Sequence, residues 1–238
     1  MSEHRPPRPA DARTADDVDV LVRHLYGPDA NLARTGILHP TSVWRGPGGD
    51  AAQGMTLRIG DQTPTSEWDL FALSLARARA DAIVTSGRIL RTEATVDHGL
   101  AGPGTLPGAL AAWRRRSGRD RPPISLIMTK GGELDLNHPF FRRSGRVVVY
   151  TGEAGAWRLD SRAADAGVEV EVDAEPSVRA ALRFVRGAFG CATVSVEAGP
   201  SITRGLYEDP ITVDELLLST YLGDTLPTAA RGGRQVAR

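Results

Sequence analysis

The 238-residue sequence has little of several features that define whole classes of protein. Its single cysteine, Cys191, excludes an internal disulfide framework and leaves too few thiolates for a zinc or iron–sulfur site built on cysteine. No apolar run approaches the roughly 20 residues that a membrane span needs, and residues 1–13 lack the apolar core of a signal peptide. We therefore expect a soluble, cytoplasmic protein without a membrane partner.

Net charge is also lacking, because 29 basic residues balance 29 acidic residues. Without an overall positive field, nucleic acid has to be bound by a local basic patch. The candidate patch is Trp113–Arg116 with Arg119 and Arg121, but 109–116 has the pattern of a short helix with solvated arginines. We expect no nucleic-acid partner, and no metal because the histidines lack metal-ligand spacing.

Helix and strand patterns alternate along most of the chain. Short runs rich in β-branched residues predict strands at 35–43, 82–85, 124–129, 147–151, 168–172 and 193–196. Capping signals and apolar stripes predict helices from Thr14, Ser66, Ala109, Val178 and Pro200. This order predicts an α/β fold with a mainly parallel central sheet and helices on both faces. We assign 1–30 to a mobile N-terminal arm (1–13) and a docking helix, and 31–238 to a single domain.

Ligands of such sheets bind beyond the carboxyl ends of the strands, so the residues after each strand form the candidate site. Here they combine small residues, hydroxyls and cations, which suit an anionic, nucleotide-like ligand. Gly199-Pro200-Ser201 is the most specific signal, because free amides and the helix dipole at a helix start favour a pyrophosphate. A tight turn without a ligand gives the same motif, and that alternative stays open.

Three segments carry a resemblance to a known family. They are RARADAIVTSGRILRTE at 77–93, GGELDLNHPFF at 131–141, and VSVEAGPSITRGLY at 194–207 with VDELLLSTYLG after it at 213–223. Their order and spacing resemble those of the pyrimidine reductase domain of bacterial riboflavin biosynthesis, the C-terminal domain of a bifunctional deaminase-reductase. The resemblance covers about residues 30–223 and implies a dihydrofolate reductase-like three-layer fold.

The strand-end loops of that family hold NADPH. The resemblance therefore implies cofactor contacts for Thr85, Ser86, Gly87, Arg88, Thr129, Glu197, Ala198, Gly199, Pro200 and Ser201. Arg88 suits the adenosine 2′-phosphate, since a guanidinium binds phosphate through paired hydrogen bonds, although a solvated surface arginine has the same signature. The family reduces a ribosylamino-pyrimidine with hydride from NADPH, and its members form dimers. By resemblance we expect an NADPH-dependent reductase of a small heterocyclic or nucleoside-like molecule that forms a homodimer.

The substrate side departs from the family pattern. Where the family has S-L-D-G, this sequence reads S-V-W-R-G at 42–46, so the aspartate beside the substrate is missing. The segment that binds the substrate phosphate is replaced by RTEATVDH at 91–98. The sequence also ends soon after Gly223, where relatives have about two more strands, so we expect shortened C-terminal strands. These departures predict a substrate different from the riboflavin intermediate.

His39, Ser42 and Asp50 are the candidates for proton transfer, because they carry suitable groups near the missing aspartate. The alternative hypothesis is a non-catalytic homologue that keeps the fold as a ligand-binding or assembly module. The cofactor hypothesis depends on one geometric expectation, that the turns at 85–88 and 197–201 converge on a single cleft.

Overall fold

Helices and strands alternate in the structure, a computed structural model that describes residues 6–46, 54–57, 65–131, 133–143, 145–223 and 235–236. The helices are α1 (Ala15–Tyr26), α2 (Glu67–Arg79), α3 (Gly87–Thr92), α4 (Leu106–Arg116), α5 (Phe140–Arg143), α6 (Glu153–Asp165), α7 (Val178–Phe189) and α8 (Pro200–Tyr207). The strands are β1 (Gly36–Arg45), β2 (Gly54–Thr56), β3 (Ala82–Ser86), β4 (Ile124–Met128), β5 (Val147–Thr151), β6 (Glu169–Val172), β7 (Thr193–Val196), β8 (Glu215–Leu222) and β9 (Gln235–Val236). No helix within these ranges has the length and apolar character needed to cross a bilayer.

The strands form one mostly parallel sheet. Over the described ranges their order is β6-β5-β4-β3-β7-β1-β2-β9, and β8 pairs with the other edge of β1. Strands β1 and β3 to β8 are linked by parallel pairings, whereas β2 and β9 pair antiparallel. The carboxyl ends of the parallel strands therefore meet at one edge. The predicted α/β fold, with a mainly parallel central sheet, is confirmed.

Apolar clusters cover both faces of the sheet. On one face, α7 and α8 pack against alternate strand residues such as Val84 and Val194. On the other face, α2 contributes Ala76 to a cluster with β1 and β8, and its outer side packs against α1 and α4. Successive residues of a strand point to opposite faces. The face that each strand residue joins therefore follows from its position along the strand.

Three helices are missing from the sequence prediction, of which α5 has only four residues. Helix α3 begins directly at Gly87, where the pattern indicated only a turn, and the Ser86 side chain caps it by accepting from the Ile89 amide. It has six residues, too few to show a helical repeat. Helix α6 is polar over much of its length, so its apolar stripe is weak. Strand β8 pairs with β1 from Leu38 to Arg45 and lies within the VDELLLSTYLG segment that carries part of the resemblance.

Residues 6–13, which we expected to be mobile, pack against the domain. Ala12 is buried in the cluster formed by α1, α2 and α4. Arg8 pairs with Glu67, and the Thr105 hydroxyl donates to the Ala12 carbonyl. These contacts hold the described part of the arm against α2 and α4. The division of the chain at residues 30 and 31 stays a prediction.

The basic segment considered as a nucleic-acid patch is largely engaged within the protein. The Trp113 indole donates to Asp19 at 2.8 Å, and Arg116 pairs with the same carboxylate. Arg119 pairs with Asp81 at 2.9 Å. These contacts give the segment a structural role, and the absence of a nucleic-acid partner stays a prediction.

Arg114, which is 8% exposed, binds the C-terminal carbonyls of α2. Its guanidinium donates to the carbonyls of Ala78 and Ala80 at 2.9 and 2.6 Å. Arg114→Met leaves these carbonyls buried without donors, at a cost of about 1–3 kcal/mol for each unsatisfied group. We expect the free energy of unfolding to fall by about 3 kcal/mol in urea denaturation. Arg115→Met, at an exposed position of the same helix, should change the free energy of unfolding by less than about 0.5 kcal/mol. Equal losses of stability in the two variants would contradict the capping role of Arg114.

Strand β8 exposes apolar side chains on one face. Leu216, Leu218 and Leu222 are exposed, whereas Leu217 between them is buried. Within the described ranges, β8 pairs with β1 alone. An exposed apolar face at a sheet edge favours association with another chain. The homodimer stays a prediction.

A candidate active-site cleft

A cleft of about 310 Å³ opens at the carboxyl edge of the sheet. Its walls come from the middle of β1 and β8, from the ends of β2 and β3, from the residues after β7, from α2 and α3, and from the start of α8. Ser86 and Arg88 of one turn and Glu197–Ser201 of the other line this same cleft. The two turns therefore converge, as the cofactor hypothesis requires.

Hydrogen bonds between β3 and the end of β7 hold the two turns together. The Thr85 hydroxyl donates to the Glu197 carbonyl at 2.9 Å, and the Glu197 amide donates to the Val84 carbonyl at 2.8 Å. Thr85 is 1% exposed, so it lies beneath the cleft. In this structure Thr85 positions the 197 backbone. Its contact with a cofactor stays a prediction.

The Glu197 carboxylate binds the buried guanidinium of Arg77. The Arg77 Nε lies 3.1 and 3.0 Å from the two carboxylate oxygens, and Nη2 lies 2.8 Å from Oε2. Burial alone would raise the pKa of Glu197 and lower that of Arg77. The attraction between the two charges outweighs burial, so the pKa of Glu197 is lowered and that of Arg77 is raised. The carboxylate is thus engaged within the protein, and the chain that follows Glu197 faces the cleft.

The start of α8 presents free backbone donors. The Ile202 and Thr203 amides donate to the Gly199 carbonyl, which begins the hydrogen bonding of the helix. The Gly199 and Ser201 amides come before these bonds and have no acceptor within the helix, and Pro200 has no N–H. A Cβ built on Gly199 meets no heavy atom within 4 Å, so a ligand has room to approach this backbone. The arrangement fits an anionic group such as a pyrophosphate.

The start of α3 is built around a close approach at Gly87. A Cβ there would lie 2.9 Å from Leu134 Cδ2 and 3.2 Å from Thr129 Cβ. Glycine therefore allows α3 to pack against the segment after β4, and this packing places the exposed Arg88 on the cleft wall. Thr129, which follows β4, is one of the residues packed against Gly87. The cofactor roles of Gly87 and Thr129 stay predictions.

Ser42 and His39 lie on opposite faces of β1. The Ser42 hydroxyl lines the cleft and donates to Asp69 at 2.9 Å. His39 is 7% exposed and faces α8, where its Nδ1 lies 2.6 Å from the Tyr207 hydroxyl. Burial lowers the pKa of His39 to about 4. The structure therefore does not bring His39 and Ser42 together, and Asp50 lies outside the described residues.

Asp69 is the acidic cleft residue that the sequence analysis missed. It lies in the first turn of α2 and accepts from Ser42 on Oδ1 and from the Tyr221 hydroxyl on Oδ2, at 2.9 and 3.2 Å. Burial and the neighbouring carboxylate raise the pKa of Tyr221 to about 12, so its hydroxyl remains a donor. In the sequence, Ser66 and Asp69 have the spacing of a capping box. That spacing accounts for Asp69 as part of a helix start, so the sequence analysis assigned it no role in a site. The Asp69 amide does donate to Ser66, but its carboxylate turns to the cleft.

Donors and acceptors of the cleft come from different elements. Arg88 of α3 and the free amides of α8 suit an anion, whereas Asp69 of α2 suits a hydrogen-bond donor or a cation. Throughout the described ranges, no group of three or more His, Cys, Asp or Glu side chains is placed to hold a metal ion. The geometry is that of a site for two ligands, or for one ligand with an anionic end and a donor end.

Solved structures with this fold include a pyrimidine reductase-like protein from Corynebacterium diphtheriae. It aligns with a TM-score of 0.58 and 24% identity over 85% of this chain and 79% of its own. Two forms of RibD from Acinetobacter baumannii align with TM-scores of 0.56 and 0.57 and identities of 16% and 14%, over 92% and 94% of this chain. The chain spans 53% and 61% of the RibD chains.

These comparisons confirm the resemblance at the level of the fold. At identities of 24% and below, a structural likeness does not carry the activity of one protein to the other. No protein-family model matches the sequence, and no curated protein matches it. The function therefore has to be argued from the cleft itself.

Proposed function

We propose that the protein is an NADPH-dependent reductase that transfers hydride to a heterocyclic or nucleoside-like small molecule. The observation that carries the proposal is the convergence of Arg88 and the free amides of α8 on one cleft with the carboxylate of Asp69. The fold shared with a pyrimidine reductase-like protein and with RibD supports it. Only the aligned region of RibD supports the proposal, which does not extend to the rest of that protein.

The anion-binding half of the cleft fits a dinucleotide phosphate. The Gly199 and Ser201 amides would bind the pyrophosphate, because helix-start amides and the helix dipole favour negative charge. Arg88 would bind the 2′-phosphate through paired hydrogen bonds. NADPH held in this way supplies a hydride at its nicotinamide ring. Ala198 and Pro200, which carry no polar side chain, shape the wall between these groups.

Arg88→Ala is expected to weaken NADPH binding at least 10-fold while changing NADH binding less than about 2-fold. The reason is that a charge-assisted hydrogen bond to a phosphate is worth about 1.5–3 kcal/mol, and NADH lacks the 2′-phosphate. Titration of nicotinamide fluorescence measures both dissociation constants. Arg91→Ala is the matched control, since Arg91 is exposed on the same helix and its guanidinium donates to the Glu133 carbonyl outside the cleft. Absence of saturable NADPH binding to the wild-type protein would refute the proposal.

The alternative function, a non-catalytic ligand-binding or assembly module, is favoured by the missing aspartate of β1. It predicts that NADPH binds without being oxidised, whichever pyrimidine or nucleoside is added. NADPH oxidation with one such compound, seen as loss of nicotinamide absorbance, would exclude the alternative, provided that the rate at limiting NADPH falls in the Arg88→Ala variant. Binding of NADPH without oxidation by any of them would favour it.

A further inference from the structure

We propose that the outer face of helix α6 around Trp157 is an interface between two copies of this chain, related by a twofold axis. Helix α6 connects β5 to β6, which lie at one end of the strand order, whereas β8 pairs with β1 near the other end. The surface is therefore distinct from the exposed leucines of β8. It also lies outside the cleft, so the inference does not depend on the proposed function.

Trp157 is exposed on a helix that is anchored to the sheet by other side chains. Leu159 and Ala163 of α6 are buried in an apolar cluster with the strands. Trp157 lies outside that cluster, and 81% of its surface is accessible. Packing against the described residues therefore does not account for this side chain. Tryptophan is enriched where proteins meet, and it often dominates the binding energy there.

A groove of about 670 Å³ lies beside Trp157, between α6 and the chain that follows β4. One rim carries the guanidiniums of Arg158 and Arg162, which are one helical turn apart and therefore share a face of α6. The other rim carries the carboxylates of Glu133 and Asp135. The groove thus combines an exposed aromatic ring with opposite charges on its two sides.

Backbone carbonyls hold the two arginines of the groove in place. Arg158 Nη1 donates to the Gly131 carbonyl at 3.0 Å. Arg162 Nη2 donates to the Leu134 carbonyl at 3.1 Å. A guanidinium has five N–H donors, so each arginine keeps donors for a further acceptor. Because these side chains are already ordered, binding a carboxylate from another molecule costs less conformational entropy.

The carboxylate rim forms only weak contacts within its own chain. The Glu133 carboxylate lies 3.8 Å from Arg158 Nη1, which is beyond hydrogen-bonding distance. The Glu133 side chain is 74% exposed and that of Arg158 is 52% exposed, so water screens the pair. Asp135 is exposed as well. Guanidiniums from a second molecule therefore have room to form closer pairs with these acids.

The charge pattern of the groove matches a second copy of itself. A twofold rotation places the arginine rim of one copy against the carboxylate rim of the other, and this contact occurs twice. The same rotation brings together the two Trp157 rings, which stack favourably. A nucleic acid or a uniformly acidic protein would meet the carboxylates of Glu133 and Asp135, which repel it. Two cations balanced by two anions therefore favour a copy of this chain as the partner.

The test is made on full chains in which the exposed face of β8 no longer contributes to association. Leu218 is 45% exposed on that face and lies outside both the groove and the cleft, so Leu218→Lys charges the face without changing either. The chain with this single change is the reference chain. Sedimentation velocity at concentrations up to about 1 mM should show that the reference chain forms dimers.

Charge reversal on either rim should abolish these dimers, and mixing the two reversed chains should restore them. The acidic chain adds Arg158→Glu and Arg162→Glu to the reference chain, and the basic chain adds Glu133→Arg and Asp135→Arg. Each alone should have a dissociation constant at least about 10-fold above that of the reference chain, because like charges then face each other across the axis. Their equimolar mixture should regain the reference affinity within about 3-fold, since every contact again joins opposite charges.

Removal of the exposed ring gives an independent test if a charge-reversed chain folds poorly. Trp157→Ser in the reference chain should raise the dissociation constant at least about 10-fold. Its melting temperature should not change, because the side chain is exposed. Two control changes should leave association unaltered: Val20→Ser, at an exposed apolar position of α1, and Asp165→Arg, at an exposed position of α6 outside the groove.

Three results would overturn the inference. The first is a reference chain that stays monomeric throughout the concentration range, and any association of the wild type then belongs to β8. The second is a dimer that Trp157→Ser leaves unchanged. The third is a pair of charge-reversed chains that fold as the reference chain does and do not associate when they are mixed.

Discussion

Replacement of Gly199 by Trp is expected to weaken NADPH binding at least 100-fold while leaving the fold intact. A side chain at this position grows from the first residue before α8, beside the free amides, and meets no protein atom within 4 Å of its Cβ. The backbone of Gly199, with φ −69° and ψ 167°, is one that any residue adopts. The indole therefore fills the space in which we propose that the pyrophosphate binds, without straining the protein. Nicotinamide fluorescence gives the dissociation constant, and circular dichroism gives the melting temperature.

Two companion variants separate blockage of the cleft from a general effect of the large side chain. Gly187→Trp adds the same indole at an exposed position of α7, where a Cβ also meets nothing within 4 Å, and should bind NADPH as the wild type does. Gly199→Ala adds a single methyl group and should weaken binding less than about 5-fold. If Gly199→Trp binds NADPH normally, the dinucleotide does not occupy the start of α8.

Lowering the pH from 7 to 5 is expected to reduce the free energy of unfolding by about 4 kcal/mol. Burial lowers the pKa of His39 and of His98 to about 4, against about 6.5 in an unfolded chain. Above pH 6.5 both are neutral in either state and their contribution is complete. Between pH 6.5 and 4 the unfolded chain binds protons that the native protein excludes, so stability falls by about 1.4 kcal/mol per pH unit for each histidine.

The surroundings of the two histidines explain why they stay neutral. His39 faces the Tyr207 hydroxyl, and the Nδ1 of the buried His98 lies 2.8 Å from the Ser125 hydroxyl. The charge of Glu197 favours protonation of His98, but burial and the charge of Arg77 oppose it. Carboxylates such as Glu197, whose pKa is lowered, add their own loss only below about pH 4.5.

Urea denaturation at pH 7, 6 and 5 measures this dependence. His39→Gln and His98→Gln should each remove about half of the loss between pH 7 and 5, whatever they do to stability at pH 7. His24→Gln changes an exposed histidine and should leave the dependence unaltered. A wild-type stability that is constant over this range would show that neither histidine is held neutral.

Three residues at the base of the cleft take on structural roles that the resemblance did not indicate. Thr85 and the Arg77–Glu197 pair fix the path of the chain from β7 into α8. Arg88 and the backbone amides of α8 then lie on the cleft surface beside several hydroxyl side chains.

The sequence by itself determined the alternation of helices and strands, the parallel sheet and the two turns that meet at the cleft. These features follow from local patterns, because an apolar repeat, a capping residue or a Gly-Pro turn acts within a few residues of chain. Gly199-Pro200-Ser201 could be assigned to a helix start for this reason. Helices α3 and α5 were not predicted because they are short, and α6 was not predicted because it lacks a clear apolar stripe.

Only the tertiary structure decided which side chains share the cleft. Ser42 meets Asp69 across 27 positions of sequence, and Asp69 meets Tyr221 across 152. The faces of β1 likewise separate His39 from Ser42, although they are near neighbours in the chain. Such contacts depend on how α2 packs over β1 and β8, and no local repeat encodes that packing. The sequence therefore located the edge of the sheet where the cleft opens, and the packing of α2 supplied its acid.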